Sequence, residues 1–114
     1  MKLAQILIPA AVAAFAALSS SAMASDFDEA AAKAFAKKNE CTKCHAVDKV
    51  KKGASYQKIA AKYKGKPDAI EKVTKSLMTS PKVKMEDGTE EEHKSMEGKD
   101  AKEIKNVVLW ILAQ

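Results

Sequence analysis

The sequence has no arginine and few aromatic residues, although lysine gives it an excess of positive charge. All 20 of its basic residues are lysines, its formal net charge is +5, and only 5% of its residues are aromatic. Proteins that read nucleic acids rely on arginine for paired contacts with bases and on aromatic rings for stacking. These absences argue against nucleic-acid binding. They leave the lysines as a solvated surface, or as one that attracts an acidic partner.

Cysteine is also scarce, and its placement excludes a disulfide framework. Cys41 and Cys44 are the two cysteines of the sequence, and they lie three positions apart. Small exported domains usually rely on several disulfides, because their hydrophobic cores are too small to stabilise them alone. Here no pair is left to link distant segments, so we expect another group to supplement the core.

The N-terminal segment has the layout of a secretory signal peptide. A basic start is followed by an apolar run from Ile6 to Leu18 and by a small-x-small cleavage site that ends at Ala24. The run is shorter than the roughly 20 residues that a membrane span needs. We therefore predict a cleaved signal peptide over residues 1–24, a single exported domain over residues 25–114 without a membrane span, and a periplasmic location.

Apolar residues at helical spacing predict four helices in the exported domain, over residues 27–38, 55–63, 68–79 and 100–113. The predicted buried faces of the first and last helices are formed by Phe27, Ala31, Ala34 and Phe35 and by Ile104, Val107, Val108 and Ile111. No segment is a convincing strand. About twenty residues, Ser80 to Lys99, are left as a loop, which a domain this small accommodates best if the loop lies on something rigid.

Residues 41–45 form the motif that indicates the chemistry of the chain, C-x-x-C-H. This pattern attaches c-type haem: Cys41 and Cys44 form thioethers with the two vinyl groups, and His45 gives an imidazole nitrogen to the iron. A thioredoxin-type redox pair is an alternative, but it is expected beside a β-α-β unit. A zinc site that adds His93 is another, but its spacing is unusual. Haem is preferred because it also supplies the missing apolar surface.

From Cys41 onward the chain resembles the small bacterial class I cytochromes c. The resemblance covers essentially the whole exported domain and is clearest from Gly53 to Tyr56, from Ile59 to Gly65, and from Val108 to Leu112. It implies an all-α cytochrome c fold, with three to four short helices around one covalently bound haem c.

The resemblance also implies roles for particular residues, and the chain departs from the family at two places. Tyr56 and Trp110 are expected to line the haem. The family's proline, whose carbonyl accepts the N–H of the proximal imidazole, is Ala54 here. The family's glycine-rich loop, which carries its methionine ligand, is absent.

Four residues are candidates for the second axial ligand of the iron: His93, Met96, Met85 and Met78. His93 lies seventeen residues before Trp110, which resembles the family's spacing between its methionine ligand and this tryptophan, so we prefer His93. Met96 is the alternative. His93 could instead be a solvated loop residue, because three glutamates precede it.

These features predict an electron carrier rather than an enzyme, because two protein ligands leave the iron no open position for a substrate. Lysines near the motif are expected to dock transient, acidic redox partners: Lys43, Lys49, Lys51 and Lys52. Nothing in the sequence requires more than a monomer. If the second ligand is absent or labile, a haem protein that binds small ligands or acts as a peroxidase is the alternative function.

Overall fold

The computed structural model describes residues 26–114, so the predicted signal peptide lies outside the described residues. The elements follow in the order α1 (Glu29–Lys38), a 3₁₀ turn (Cys41–Lys43), α2 (Tyr56–Tyr63), α3 (Ala69–Thr79), β1 (Lys82–Lys84), β2 (Glu90–Glu92) and α4 (Ala101–Leu112). The helices agree with the predicted ranges to within a few residues, and the predicted all-α fold is confirmed. Of residues 26–114, no helical stretch combines the length and the apolar character needed to cross a bilayer.

Short polar side chains fix where three of the helices begin. The Asp28 carboxylate accepts a hydrogen bond from the Ala31 N–H at the start of α1, and the Ser55 hydroxyl accepts one from the Lys58 N–H at the start of α2. The Asp100 carboxylate accepts two backbone N–H groups of α4, at 2.9 and 3.1 Å. Such caps satisfy donors that have no partner inside the helix.

Helix α4 is the centre of the core, because α1, α2 and α3 all pack against it. Its predicted apolar face is buried, and Trp110 is buried beside that face. In α1 the predicted face is wrong in part: Ala32, Phe35 and Ala36 are buried, whereas Ala31 and Ala34 are exposed. The helix is rich in alanine, so its small apolar residues occur on every side and the spacing cannot select one.

A pair of hydrogen bonds joins the start of α1 to α4. The Asp28 N–H donates to the Asn106 side-chain oxygen at 2.7 Å, and the Asn106 amide nitrogen donates to the Asp28 carbonyl at 2.9 Å. The first and last helices of the described chain are therefore held together by polar contacts as well as by apolar packing.

The segment expected to be a structureless loop contains an antiparallel hairpin, which the sequence analysis missed. Strand β1 pairs with β2 so that Lys82 lies opposite Glu92 and Lys84 lies opposite Glu90. Both strands have three residues, and Glu90–Glu92 are all exposed. Elements this short and this polar show no apolar alternation, so the usual signal for a strand is absent.

Three hydrogen bonds fasten the segment after the hairpin. The His93 N–H donates to the Pro81 carbonyl at 2.9 Å, next to the pairing of Lys82 with Glu92. The Met96 N–H donates to the Leu77 carbonyl at 2.7 Å, and the Ser95 hydroxyl donates to the Met78 carbonyl at 3.1 Å. The last two bonds satisfy carbonyls that the end of α3 leaves without partners, and all three fix where the chain carrying His93 runs.

Candidate cofactor and metal site

A tight turn after α1 places both cysteines and His45 within five residues. The turn follows Glu40, whose backbone is left-handed with φ 62°. The N–H groups of Cys44 and His45 both donate to the Cys41 carbonyl, at 3.2 and 2.9 Å. Both cysteine side chains are partly buried, so the motif forms one compact unit, as covalent attachment to a single cofactor requires.

The two alternative uses of the cysteines are not favoured by this geometry. Burial raises the pKa of the Cys41 thiol, whereas reactive cysteines of thiol–disulfide enzymes have a lowered pKa. A zinc site needs about four close donors. Within residues 26–114, no group of three or more His, Cys, Asp or Glu residues is placed to hold a metal ion.

The His45 ring is oriented by a backbone carbonyl. Its Nδ1 lies 2.6 Å from the Ala54 carbonyl oxygen, which confirms that alanine can serve at this position. Because a carbonyl oxygen can only accept, the Nδ1 atom carries the proton and the Nε2 lone pair is left for a metal. Burial also lowers the pKa of His45, which favours the neutral form that binds metals.

Gly53 lets the backbone pass close to the His45 ring. A Cβ atom at this position would lie 2.8 Å from His45 Cε1 and 3.3 Å from the Cys44 carbonyl oxygen. The Gly53 N–H donates to that same carbonyl at 2.8 Å. A side chain here would displace either the imidazole or the turn, so a glycine is required for close approach rather than for an unusual φ angle.

His93 is oriented in the same way as His45, on a different part of the chain. Its Nδ1 lies 3.0 Å from the carbonyl oxygen of Lys94, the next residue. By the same reasoning, Nδ1 carries the proton and Nε2 is the nitrogen left for a metal. The sequence analysis did not foresee this acceptor, because every residue has a carbonyl and no sequence signal distinguishes this one.

The two imidazole rings lie close together, and the gap between them can be compared with that between two ligands of one metal. Their centroids lie 6.2 Å apart, with 39° between the ring planes. A metal–imidazole bond is about 2.0 Å long, and a ring centroid lies about 1 Å beyond its nitrogen, so two rings on opposite sides of one metal have centroids about 6 Å apart. The gap therefore fits one metal ion between His45 and His93.

The methionines proposed as alternative ligands lie in other surroundings. Met96 is 1% exposed and belongs to the buried cluster that contains the apolar face of α4. Met78 packs against that cluster from α3. Met85 lies in the turn of the hairpin, where its N–H donates to the Thr89 carbonyl at 2.7 Å. Core packing accounts for Met96 and Met78.

Tyr56 and Trp110, which the resemblance places beside the haem, form an aromatic wall next to His45. The Tyr56 ring centroid lies 5.5 Å from that of His45 and 5.1 Å from that of Trp110. The Tyr56 hydroxyl and the Trp110 indole N–H are buried, and neither has a hydrogen-bond partner among the described residues. Buried donors normally have partners. A haem, which combines a large apolar face with two carboxylates, fits this wall.

Two of the lysines near the motif have ammonium groups that are already engaged in contacts within the chain. Lys43 pairs with Glu40 at 2.8 Å, and Lys51 donates to the Thr42 carbonyl at 2.7 Å. The Lys52 carbonyl accepts the Glu86 N–H from the hairpin turn. Val50 is 51% exposed among these lysines. The result is a mixed surface, in which acidic residues lie between the basic ones.

Comparisons with known proteins identify the family and the fold. The family model described as Cytochrome c matches residues 29–114. The chain is similar to the class 1 cytochrome MtoD from Sideroxydans lithotrophicus ES-1, with 50% identity and a TM-score of 0.75 over 76% of this chain and 96% of that one. It is also similar to cytochrome c552 from Nitrosomonas europaea, with 28% identity and a TM-score of 0.56 over 70% and 95%. No curated protein matches.

Proposed function

The chain belongs to the cytochrome c family, and from this premise we propose that it is a periplasmic carrier of single electrons whose haem iron is held by His45 and His93. Its cofactor is haem c, bound covalently through Cys41 and Cys44. When bound, the haem supplies the one-electron couple between ferric and ferrous iron. Proteins of this family carry electrons. The periplasmic location and the pairing of His45 with His93 at the iron are what we propose.

The observation that carries the proposed ligand pair is the matched arrangement of the two histidines. Each ring has its Nδ1 atom beside a backbone carbonyl, and the ring centroids lie 6.2 Å apart. A solvated loop histidine would have no reason to face a second imidazole at the separation that one metal requires. Met96 is buried in the cluster that contains the apolar face of α4 together with Tyr56 and Trp110, and this packing explains its burial without a bond to the iron.

Absorption and EPR spectra of two variants test the ligand pair. We expect His93→Ala to convert the low-spin ferric protein to high spin, because one axial bond is lost. Met96→Leu is the matched control, and it should leave the low-spin spectrum intact. Wild-type ferric protein should also lack the far-red band that a sulfur–iron bond produces. A low-spin spectrum that survives in His93→Ala and is lost in Met96→Leu would refute the assignment.

The reduction potential gives an independent test. A thioether ligand favours ferrous iron and raises the potential, whereas a second imidazole is the stronger donor to ferric iron. We therefore expect a lower potential than that of a relative with histidine and methionine ligands, measured side by side by redox titration.

Two protein ligands also support electron transfer over binding of small molecules. With both axial positions filled by side chains, a substrate or gas must first displace one of them. Carbon monoxide should therefore bind the ferrous wild-type protein slowly and the His93→Ala variant rapidly. Equal and fast binding to both would favour the alternative function, a haem protein that binds small ligands or acts as a peroxidase.

We further propose that redox partners dock at the lysines beside the motif and are acidic there. Lys49 is exposed, and Val50 beside it offers an apolar contact at the centre of the surface. Because Glu40 and Glu86 lie among these lysines, the steering should be moderate. Lys49→Gln should slow association with an acidic partner, and Lys33→Gln, on the surface of α1, is the control. Association rates that do not fall with rising salt would exclude the steering.

Export can be tested separately. If the first 24 residues are a signal peptide, the holoprotein should be recovered from the periplasmic fraction with Ser25 as its first residue. The intact mass of that protein should equal the shortened chain plus one haem. An uncleaved chain retained in the cytoplasm would contradict this part of the proposal.

A further inference from the structure

An exposed glutamate links the cofactor attachment turn to the loop that carries His93. The Glu40 carboxylate contacts the Lys43 ammonium group at 2.8 Å and the Lys94 ammonium group at 3.2 Å, one through each oxygen. Glu40 directly precedes Cys41, and Lys94 directly follows His93. The carboxylate therefore joins two segments that are 54 residues apart.

Lys94 also orients the His93 ring through its backbone. The Lys94 carbonyl faces His93 Nδ1 at 3.0 Å, while the Lys94 side chain reaches Glu40. The same residue thus connects the imidazole on one side and the attachment turn on the other. Other hydrogen bonds hold this loop to the Leu77 and Met78 carbonyls at the end of α3 and to the Pro81 carbonyl just before β1.

The backbone at Glu40 suggests that its side chain matters. Its φ of 62° is left-handed, a conformation that glycine adopts at no cost and that most other residues avoid. The position nevertheless carries a glutamate with both carboxylate oxygens in ion pairs. These pairs are largely exposed, so each one contributes only modestly to the free energy of folding. The pair with Lys94 nevertheless acts directly on the loop that carries His93.

We propose that Glu40 is a positioning residue that holds the His93 loop against the attachment turn and slows the departure of His93 from the iron. The proposal rests on His93 being the second ligand. Loss of the Glu40 charge leaves the loop held by the hairpin and by its hydrogen bonds to Pro81, Leu77 and Met78, so the loop should open more often without the rest of the fold being affected.

The rate of carbon monoxide binding to ferrous protein at saturating carbon monoxide measures this opening, because His93 must leave first. We expect Glu40→Gln and Lys94→Gln each to raise that rate by about two- to fivefold, in keeping with an exposed ion pair. The double variant should be no faster than either single variant, since both remove the same contact. About 0.5 M salt should accelerate the wild type towards the Glu40→Gln rate and change the variant little.

Lys33→Gln is the matched control for a merely structural effect. Lys33 pairs with Glu29 at 3.0 Å, with side chains 59% and 60% exposed, whereas Lys94 and Glu40 are 56% and 51% exposed. Lys33→Gln and Lys94→Gln each remove one exposed ion pair, so they should change the unfolding temperature by similar small amounts. The ligand-exchange rate should respond to the loss of Glu40 and not to the loss of Lys33.

The outcomes separate the two proposals. If Glu40→Gln exchanges carbon monoxide at the wild-type rate, or Lys33→Gln accelerates it equally, the role of Glu40 is wrong and the ligand pair stands. If His93→Ala keeps a low-spin ferric spectrum, His93 is not the ligand and both proposals fail. Faster exchange in Glu40→Gln together with a high-spin His93→Ala supports both.

Discussion

The two sides of the haem site hold their imidazoles in the same way but support them differently. His45 is fixed by a turn of local contacts, in which its carbonyl acceptor is nine residues away and Gly53 packs against the ring. His93 is fixed by a hairpin, by bonds to the end of α3 and by an exposed ion pair. The first side is local in sequence and covalently anchored to the haem, so we expect it to be rigid. The His93 side should open more readily than the His45 side.

The largest effect is expected on the His45 side, from Gly53→Ala. The new Cβ would lie 2.8 Å from the imidazole, so either the ring or the turn must move. Strain of this kind typically costs about 1–3 kcal/mol, and we expect the free energy of unfolding to fall by about 2 kcal/mol. Urea denaturation of the holoprotein measures it. An unchanged free energy of unfolding would show that the turn at Gly53 can move to accommodate a Cβ atom and is not rigid.

Asp100→Ala is expected to lower the free energy of unfolding by a smaller amount, without changing the contacts of His45 or His93. The Asp100 carboxylate accepts two N–H groups at the start of α4, and loss of such a cap costs about 1 kcal/mol. Since α4 supports the whole core, global stability should fall while the carbon monoxide exchange rate stays unchanged. Faster exchange in this variant would show that opening on the His93 side follows global stability rather than local contacts.

The smallest effect on global stability is expected from Gly88→Ala in the hairpin turn. Gly88 has φ 87°, a backbone conformation that alanine rarely adopts, but the exposed hairpin can relieve this strain by opening locally. The strain should loosen the hairpin locally, so ligand exchange should accelerate while the urea midpoint changes less than in Asp100→Ala. If Gly88→Ala lowered the free energy of unfolding as much as Gly53→Ala, the His93 side would not open independently of the rest of the fold.

The same difference explains what could be predicted from the sequence. The His45 side is local, so C-x-x-C-H could be located by its spacing, and the family resemblance pointed to the carbonyl at Ala54. Helix α4 could be predicted because its apolar residues repeat at helical spacing over three turns.

The His93 side depends on contacts between distant segments, and only its histidine could be named in advance. The hairpin has three-residue strands in which every residue except Val83 is charged, and the pairing of Glu40 with Lys94 spans 54 positions. Neither leaves a periodic pattern. The alanine-rich α1 failed for another reason, since small apolar residues surround the whole helix and its buried side is chosen by packing against α4.

The acceptor of the His93 ring lies on the adjacent residue, and this has a consequence for how the ligand returns after it leaves. When the loop swings outward, the ring and its acceptor travel together, so Nδ1 keeps its proton and Nε2 keeps its lone pair. No tautomer exchange is then needed before recombination. His45 would lose its acceptor on any comparable excursion, because that carbonyl belongs to a different part of the turn.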